Sequence, residues 1–536
     1  MSDQFEADFE RAVAYFEAND FASAEAACLE LLADAPQDAD LHHLLGAALL
    51  QKGSPADAIS AFRQACELAP EQAEIFGHLA MAYDTVGEFE LAADAYRQAI
   101  DLGESDPEMI YGLALATKMT AKPADAAALA EGLVADHPDH GAGWHLLAVS
   151  RMEAGAPEAA VNAFEKLFEL EPDNDDAYGN YAVVLSKLDR RDEARLAFER
   201  AISSPDASAE CLLNFGMMLE EQGEETEALT HYRHAAAKNQ ESALICETFA
   251  KLARRRGEDA QAITHLRDVT AAHPTLDFAW FYLAGAYLAT GDRDAATEAM
   301  GRYLDFDPED RLGGRLTLGA GGATELPEGP SEAYLRGFYR VRASGWDKTV
   351  TEAYHGHELV MAAFERYLED CGRPEVVLDA GCGSGSLGAK LRPSAGRLDG
   401  IDISPEMVAE AQKKEIYDSL QTDDLFQFLD ERAASYDLIV AAAVLFHFRD
   451  LDGVLRPIAG ALRPNGQAIF TLFKSESGTL RLNDQGFFEH SREEIIAALA
   501  SAGLRPVEID EAIHEFNSDD EPRPCFCVRC SGGASS

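Results

Sequence analysis

Basic residues are scarce. The chain has 45 lysines and arginines against 95 aspartates and glutamates, a net charge of −50. The deficit runs throughout, net −37 over residues 1–330 and −13 over residues 331–536. Such a field repels polyanions, so no nucleic-acid partner and no membrane surface is expected. Long apolar runs are missing too. The longest, residues 438–446, is strand-sized, well short of the ~18 residues of a membrane span. The first residues, Met1-Ser2-Asp3-Gln4-Phe5-Glu6, lack the apolar core of a signal peptide. Cysteines are few and odd in number, nine in 536 residues, which argues against a disulfide scaffold and suits a reducing compartment. A cytoplasmic protein is expected. Apolar content of 47% is enough for packed cores, and the length implies at least two domains.

Proline marks a period. Pro36, Pro70, Pro107, Pro138, Pro172, Pro205, Pro274 and Pro308 are spaced by 34 on average if one missing marker near Gln240 is counted. Small and large residues recur between them: Leu45, Gly46, Gly53, Ala58, Phe62 and Ala65; Leu79, Tyr83, Gly87, Ala92, Tyr96 and Ala99; Gly216, Gly223, Ala228, Tyr232 and Ala235; Trp280, Leu283, Tyr287, Gly291 and Ala296. Small residues let antiparallel helices touch, large ones fill the gap, and proline ends the second helix. This pattern resembles the tetratricopeptide repeat. About nine helix pairs are expected over residues 5–308, forming a superhelix. The resemblance implies a protein or peptide partner on its concave face, and the charge implies a partner that is not acidic. Residues 309–330, rich in glycine and proline, read as a linker.

A different pattern follows over residues 331–531. Val376-Val377-Leu378-Asp379-Ala380-Gly381-Cys382-Gly383-Ser384-Gly385 reads as a buried parallel strand, an acid, and a glycine turn into a helix. A second strand ends at Asp402, and a third at Asp423-Asp424-Leu425. A fourth runs over 436–443 and a fifth over 468–473, and segments 507–516 and 525–529 form a terminal hairpin. Together they make a doubly wound seven-stranded α/β sheet. Gly383, Gly385 and Gly388 also fit a dinucleotide fingerprint. Asp379, just before the loop, argues for a ligand carrying an ammonium rather than a pyrophosphate.

The Asp-Ala-Gly-Cys-Gly-Ser-Gly stretch resembles the first motif of class I methyltransferases, which use S-adenosylmethionine. That resemblance implies Asp379, Ala380, Gly381, Gly383 and Gly385 at the methionine end. It implies Asp402 at the ribose, Asp424 at the adenine, and Ile403, Met407 and Leu425 alongside. Residues 338–347 resemble the lead-in that folds over the cofactor, with Tyr339, Trp346 and Tyr354 as covers. Relatives of similar layout carry Asp where Ala443 stands, which leaves His447 as the nearest titratable group after strand four. Segment 478–491 resembles a loop across the pocket mouth and offers His490 and Arg481; Ser491 and Glu494 read as a capping box. His355 and His357 have only position in their favour. Cys525, Cys527 and Cys530 read as a buried strand, and no metal site is expected. The residues leave the methyl acceptor open. The competing reading is a tetratricopeptide adaptor whose methyltransferase-like domain is a sensor or inactive.

Overall fold

The computed structural model describes residues 3–349, 354–483, 485–516 and 521–532. Two compact units cover residues 1–238 and 239–536. The first unit is a run of antiparallel helix pairs, from Asp3–Glu17 with Phe21–Asp34 to Ala209–Glu221 with Glu225–Lys238. Two backbone features recur at a strict spacing of 34. A left-handed residue joins the two helices of each pair at Asn19, Gly53, Gly87, Ala121, Asp189 and Gly223, and likewise at Gly155. A capping residue opens the first helix of successive pairs at Asp38, Asp106, His140, Asn174 and Ser208, each accepting a backbone N–H. Glycine inside a helix serves close approach. A Cβ on Gly46 would lie 2.6 Å from the Phe62 ring, and one on Gly216 would lie 2.5 Å from the Tyr232 ring. The Tyr96 and Tyr232 hydroxyls donate to Asp84 and Glu220, both at 2.7 Å, so each large ring is also anchored by its polar end.

The second unit opens with two more helix pairs, Ala243–Arg255 with Asp259–Ala272 and Asp277–Thr290 with Arg293–Phe306. The segment expected as a linker differs from that expectation. Residues Gly314–Ala320 form a helix. Its glycines are points of contact: a Cβ on Gly314 would meet Met300 at 2.5 Å, one on Gly319 would meet Pro327 at 2.8 Å, and one on Gly321 would meet Leu288 at 2.8 Å. On its other side Leu316 shares a buried cluster with Leu482 and Phe488. Arg449 donates to the carbonyl oxygen of Leu326 at 2.8 Å. Composition marks this stretch as flexible, whereas the glycines remove side chains where elements touch.

After Ser331 the chain forms the helix Glu332–Arg340, a 3-10 turn at Ala343–Gly345, and the helices Trp346–Thr349 and Gly356–Cys371. The sheet then follows: β1 Val376–Ala380, β2 Arg397–Asp402, β3 Ser419–Thr422, β4 Tyr436–Ala441, β5 Leu462–Lys474, β6 Arg481–Leu482, β7 Phe488–His490, β8 Leu504–Phe516 and β9 Pro522–Gly532. The parallel order is β3-β2-β1-β4-β5, with β9 antiparallel to β5 and β8 outside it. The seven expected strands are these; β6 and β7 are two short additions from segment 478–491 beside the end of β5. The order reverses between β1 and β4, which opens a crevice at their carboxyl ends.

Gly319→Ala is expected to destabilise the second unit by about 1–3 kcal/mol, read by chemical denaturation, because its Cβ meets a proline ring. Limited proteolysis is expected to spare residues 309–330. Rapid cleavage there, with Gly319→Ala neutral, would restore the linker reading.

Candidate functional site

A cavity of about 460 Å³ lies at that crevice, within the usual range for a small-molecule site. Its floor is the glycine loop. Gly381 and Gly383 hold left-handed backbone, φ 71° and 53°. The Gly381 and Cys382 N–H groups both donate to the Ile401 carbonyl oxygen at 2.9 Å, which ties the loop to β2. A Cβ at Gly381 would overlap Val444. At Gly383 it would face only Trp346 Nε1, 4.0 Å away, so bare backbone meets open space there.

Asp402, at the end of β2, lines the cavity. One of its oxygens accepts the Gly383 N–H and the other the Ser404 N–H, both at 2.9 Å. Lone pairs remain on each oxygen for further donors. Burial raises its pKa, and the backbone donors oppose that rise. At the end of β3, Asp424 caps helix Leu425–Asp430 with Oδ1, accepting from Phe426 at 2.9 Å and Gln427 at 3.1 Å. Asp423, Asp424, Leu425, Phe426, Ile403 and Met407 also line the cavity.

Asp379 is elsewhere. It is 1% exposed and is not among the residues lining the cavity, nor are Ala380 and Gly385. The Tyr417 hydroxyl donates to Asp379 Oδ2 at 2.7 Å. Burial pushes its pKa up to about 7, the Tyr417 bond pulling the other way and the Asp402 charge adding to the rise. Gly388 is glycine because any Cβ would overlap the Tyr417 hydroxyl. The acid read as facing a ligand therefore holds the loop from behind.

The cover is formed by Tyr339, Trp346 and Tyr354, all lining residues. Asp347 fastens it to the floor, accepting from Ser384 at 2.5 Å, Ser386 at 2.6 Å and Lys414 at 2.8 Å. Desolvation would raise the Asp347 pKa, but these donors hold it down to about 2. The wall beyond β4 and β5 is aromatic: Phe446, Phe473, Phe487 and Phe516. His447 sits among them, its Nε2 2.9 Å from the Tyr339 hydroxyl, and burial lowers its pKa to about 4. Ala443, also lining, is left-handed (φ 58°) and donates its N–H to Thr471 at 3.0 Å. Non-glycine residues in that region mark positions held by their surroundings.

His490, expected beside the acceptor, is not a lining residue. It is 1% exposed, and its Nε2 is 3.1 Å from the Phe448 carbonyl oxygen, so it fixes the turn that carries His447. His357 lines the cavity; His355 and Arg481 do not. Cys525, Cys527 and Cys530 are buried in β9. Sequence reasoning missed Tyr417 and His514, and it gave no individual role to Arg342 and Asp347 of the 338–347 lead-in. Arg342 is the sole lysine or arginine lining the cavity among the described residues, and His514 lines it from β8 with Nε2 3.5 Å from Thr471. Only the alternation of β8 signals which way His514 faces.

Floor, strand-end acids and aromatic cover define a small-molecule site in a doubly wound α/β domain of a chain that also carries an array of helical repeats. Residues 378–468 match the family described as a methyltransferase domain. Tetratricopeptide-repeat families match residues 6–73, 120–175 and 182–243, residues 73–105 and residues 151–211. The ubiquinone biosynthesis O-methyltransferase of Xanthomonas campestris is 33% identical over 103 residues, covering 18% of this chain and 41% of that protein. Nodulation protein S of Rhizobium tropici is 29% identical over 166 residues, 30% of this chain and 64% of that one. A 1,6-didemethyltoxoflavin-N1-methyltransferase from Burkholderia thailandensis, solved with 1,6-didemethyltoxoflavin and S-adenosylhomocysteine, aligns at 21% identity and TM-score 0.31 over 38% of this chain and 88% of its own. A tetratricopeptide repeat protein from Parabacteroides merdae aligns at 17% identity and TM-score 0.38 over 47% of this chain and 99% of its own. The chain spans about two fifths of the length of the first curated relatives it matches. It joins tetratricopeptide repeats to a methyltransferase domain.

Asp379 generates a pH test. A carboxyl with folded pKa near 7 and unfolded pKa near 3.9 favours folding most at low pH and loses that contribution as pH rises through 7. In ligand-free protein, Asp379→Asn keeps an acceptor for Tyr417 without the charge. Its stability relative to the parent is expected to increase between pH 4 and pH 8 in paired denaturation curves. A constant difference would mean that Asp379 titrates normally.

Proposed function

We propose that residues 331–531 bind S-adenosylmethionine and transfer its methyl group to a small acceptor, while the repeats, residues 5–308, bind a protein or peptide partner. The observation that carries this reading is the convergence of three successive strand ends on one cavity: the glycine loop after β1, Asp402 after β2 and Asp424 after β3. The residues fit the cofactor. Bare backbone at Gly381 and Gly383 would hold the methionyl end, and Arg342 lines the same cavity. Asp402 has lone pairs for two ribose hydroxyls, and Asp424, between Ile403, Met407, Leu425 and Phe426, accepts from the adenine amine. Asp379, Ala380 and Gly385 shape the loop from behind.

The bound cofactor supplies an activated sulfonium methyl group. The chain's own residues align the acceptor and exclude water, which supplies much of the rate in such a displacement. The aromatic wall fits a flat, apolar acceptor. His447 is neutral at physiological pH and can take a proton, but a base with a pKa near 4 is weak. It therefore suits an acceptor with an acidic proton, such as a phenol, or one needing no deprotonation.

Calorimetry on the full chain is expected to show micromolar binding of S-adenosylmethionine and S-adenosylhomocysteine. Asp402→Ala is expected to weaken it by about 1.5–3 kcal/mol for each charge-assisted bond lost. No binding to the parent chain would sink the cofactor reading and favour the adaptor. Once methyl incorporation has identified an acceptor, turnover is expected to fall in His447→Ala and to be independent of pH between 5.5 and 8. Turnover that is unchanged in His447→Ala but lost in His514→Ala would move the base to His514.

A further inference from the structure

We propose that His43, Glu74 and His78 of the repeat array form a binding site for a divalent cation of the zinc, cobalt or nickel type. His43 lies on helix Ala39–Gln51, and Glu74 and His78 lie on helix Ala73–Thr85, the first helices of two successive pairs. Glu74 and His78 are four residues apart and so share a helix face. Stacking the pairs brings His43 Nε2 to 2.7 Å from His78 Nδ1. One ligand atom from each of the three residues lies within 4.8 Å of the others. Phe62, fully buried, supports both rings, at 5.9 Å from His43 and 6.0 Å from His78 between centroids. The two imidazoles, 4.9 Å apart between centroids and inclined by 40°, are thus held together by the core.

Two imidazole nitrogens at this distance share one proton, and a cation bound by both replaces it. Zinc takes nitrogen at about 2.0–2.1 Å in tetrahedral sites, which places ligand atoms roughly 3.3 Å apart. The nitrogens must open by about 0.6 Å, within reach of small side-chain rotations. Two imidazoles and one carboxylate favour zinc, cobalt and nickel over magnesium and calcium, which prefer oxygen. Glu74 is exposed and both histidines are half-buried, so a fourth ligand, water or a group from a partner, can approach from solvent. The sequence hides this arrangement because Glu74 comes 31 positions after His43, and metal motifs are read over short spacings. It is also at variance with the expectation of no metal site.

The test uses the tag-free full chain, stripped by chelator and dialysed against zinc chloride. One zinc per chain by atomic emission is expected, and cobalt is expected to give the strong visible bands of a four-coordinate ion. Both signals should vanish in the His43→Gln/His78→Gln double variant with its helical circular dichroism unchanged. Glu74→Ala, at an exposed position that leaves folding alone, should weaken binding by at least about tenfold. His42→Gln, whose ring bonds the Pro36 carbonyl oxygen instead, should bind like the parent. Absence of saturable binding at micromolar zinc, or equal affinity in the double variant and the parent, overturns the site and leaves a hydrogen-bonded histidine pair.

Discussion

The methyltransferase domain depends on one carboxylate accepting two backbone N–H groups. Asp402 receives Gly383 from the loop after β1 and Ser404 from the start of the helix after β2. Without it, a loop of left-handed glycines would have many conformations, since glycine is the residue least restricted by its own backbone. The bond at Gly383 selects one of them, with bare backbone turned to open space. Asp379 and Tyr417 brace the same loop from beneath, and Asp347 with Ser384, Ser386 and Lys414 clamps it from above. Three acids thus hold one turn from three directions, and each has its donors. That is the condition under which buried carboxylates are tolerated.

The repeat array uses glycine for the opposite purpose. At Gly46 and Gly216 the backbone is ordinary helix, and the missing Cβ makes room for Phe62 and Tyr232. Both uses occur within residues 309–330, where glycine density suggests flexibility. Gly313 is left-handed there, while Gly314, Gly319 and Gly321 are contact points. Composition cannot separate these roles, because the deciding fact is what lies opposite each glycine, and that is set by tertiary packing.

Much of the architecture was legible because it rests on local periodicity. The 34-residue period, the glycine turn and the strand-end acids are all patterns along the chain. The proline marker ran unevenly because Pro107 and Pro205 occupy other turn positions, whereas the left-handed residues and helix caps keep strict register. Direction was less legible. Asp379 and Asp402 both end strands beside the same loop, yet one lines the cavity and the other is buried against Tyr417, 38 residues downstream. His490 and His447 were equivalent as sequence candidates. The short strands β6 and β7 separate them, turning His490 toward the Phe448 carbonyl oxygen and leaving His447 in the aromatic wall. His514 carried no motif, and Arg342 was one unremarked residue of the 338–347 lead-in; the folded chain brings both to the cavity.

The aromatic wall and the weak base are linked. The same burial that excludes water around His447 removes the solvation an imidazolium would need, so its pKa falls. A drier site improves alignment and strengthens every fixed dipole, but it weakens the base. Methyl transfer tolerates that exchange better than most reactions, because the leaving group is already activated and the nucleophile needs only a lone pair. The Tyr339 hydroxyl beside Nε2 keeps the neutral ring satisfied at little cost. The protonation state of the cavity's histidine thus follows from its packing.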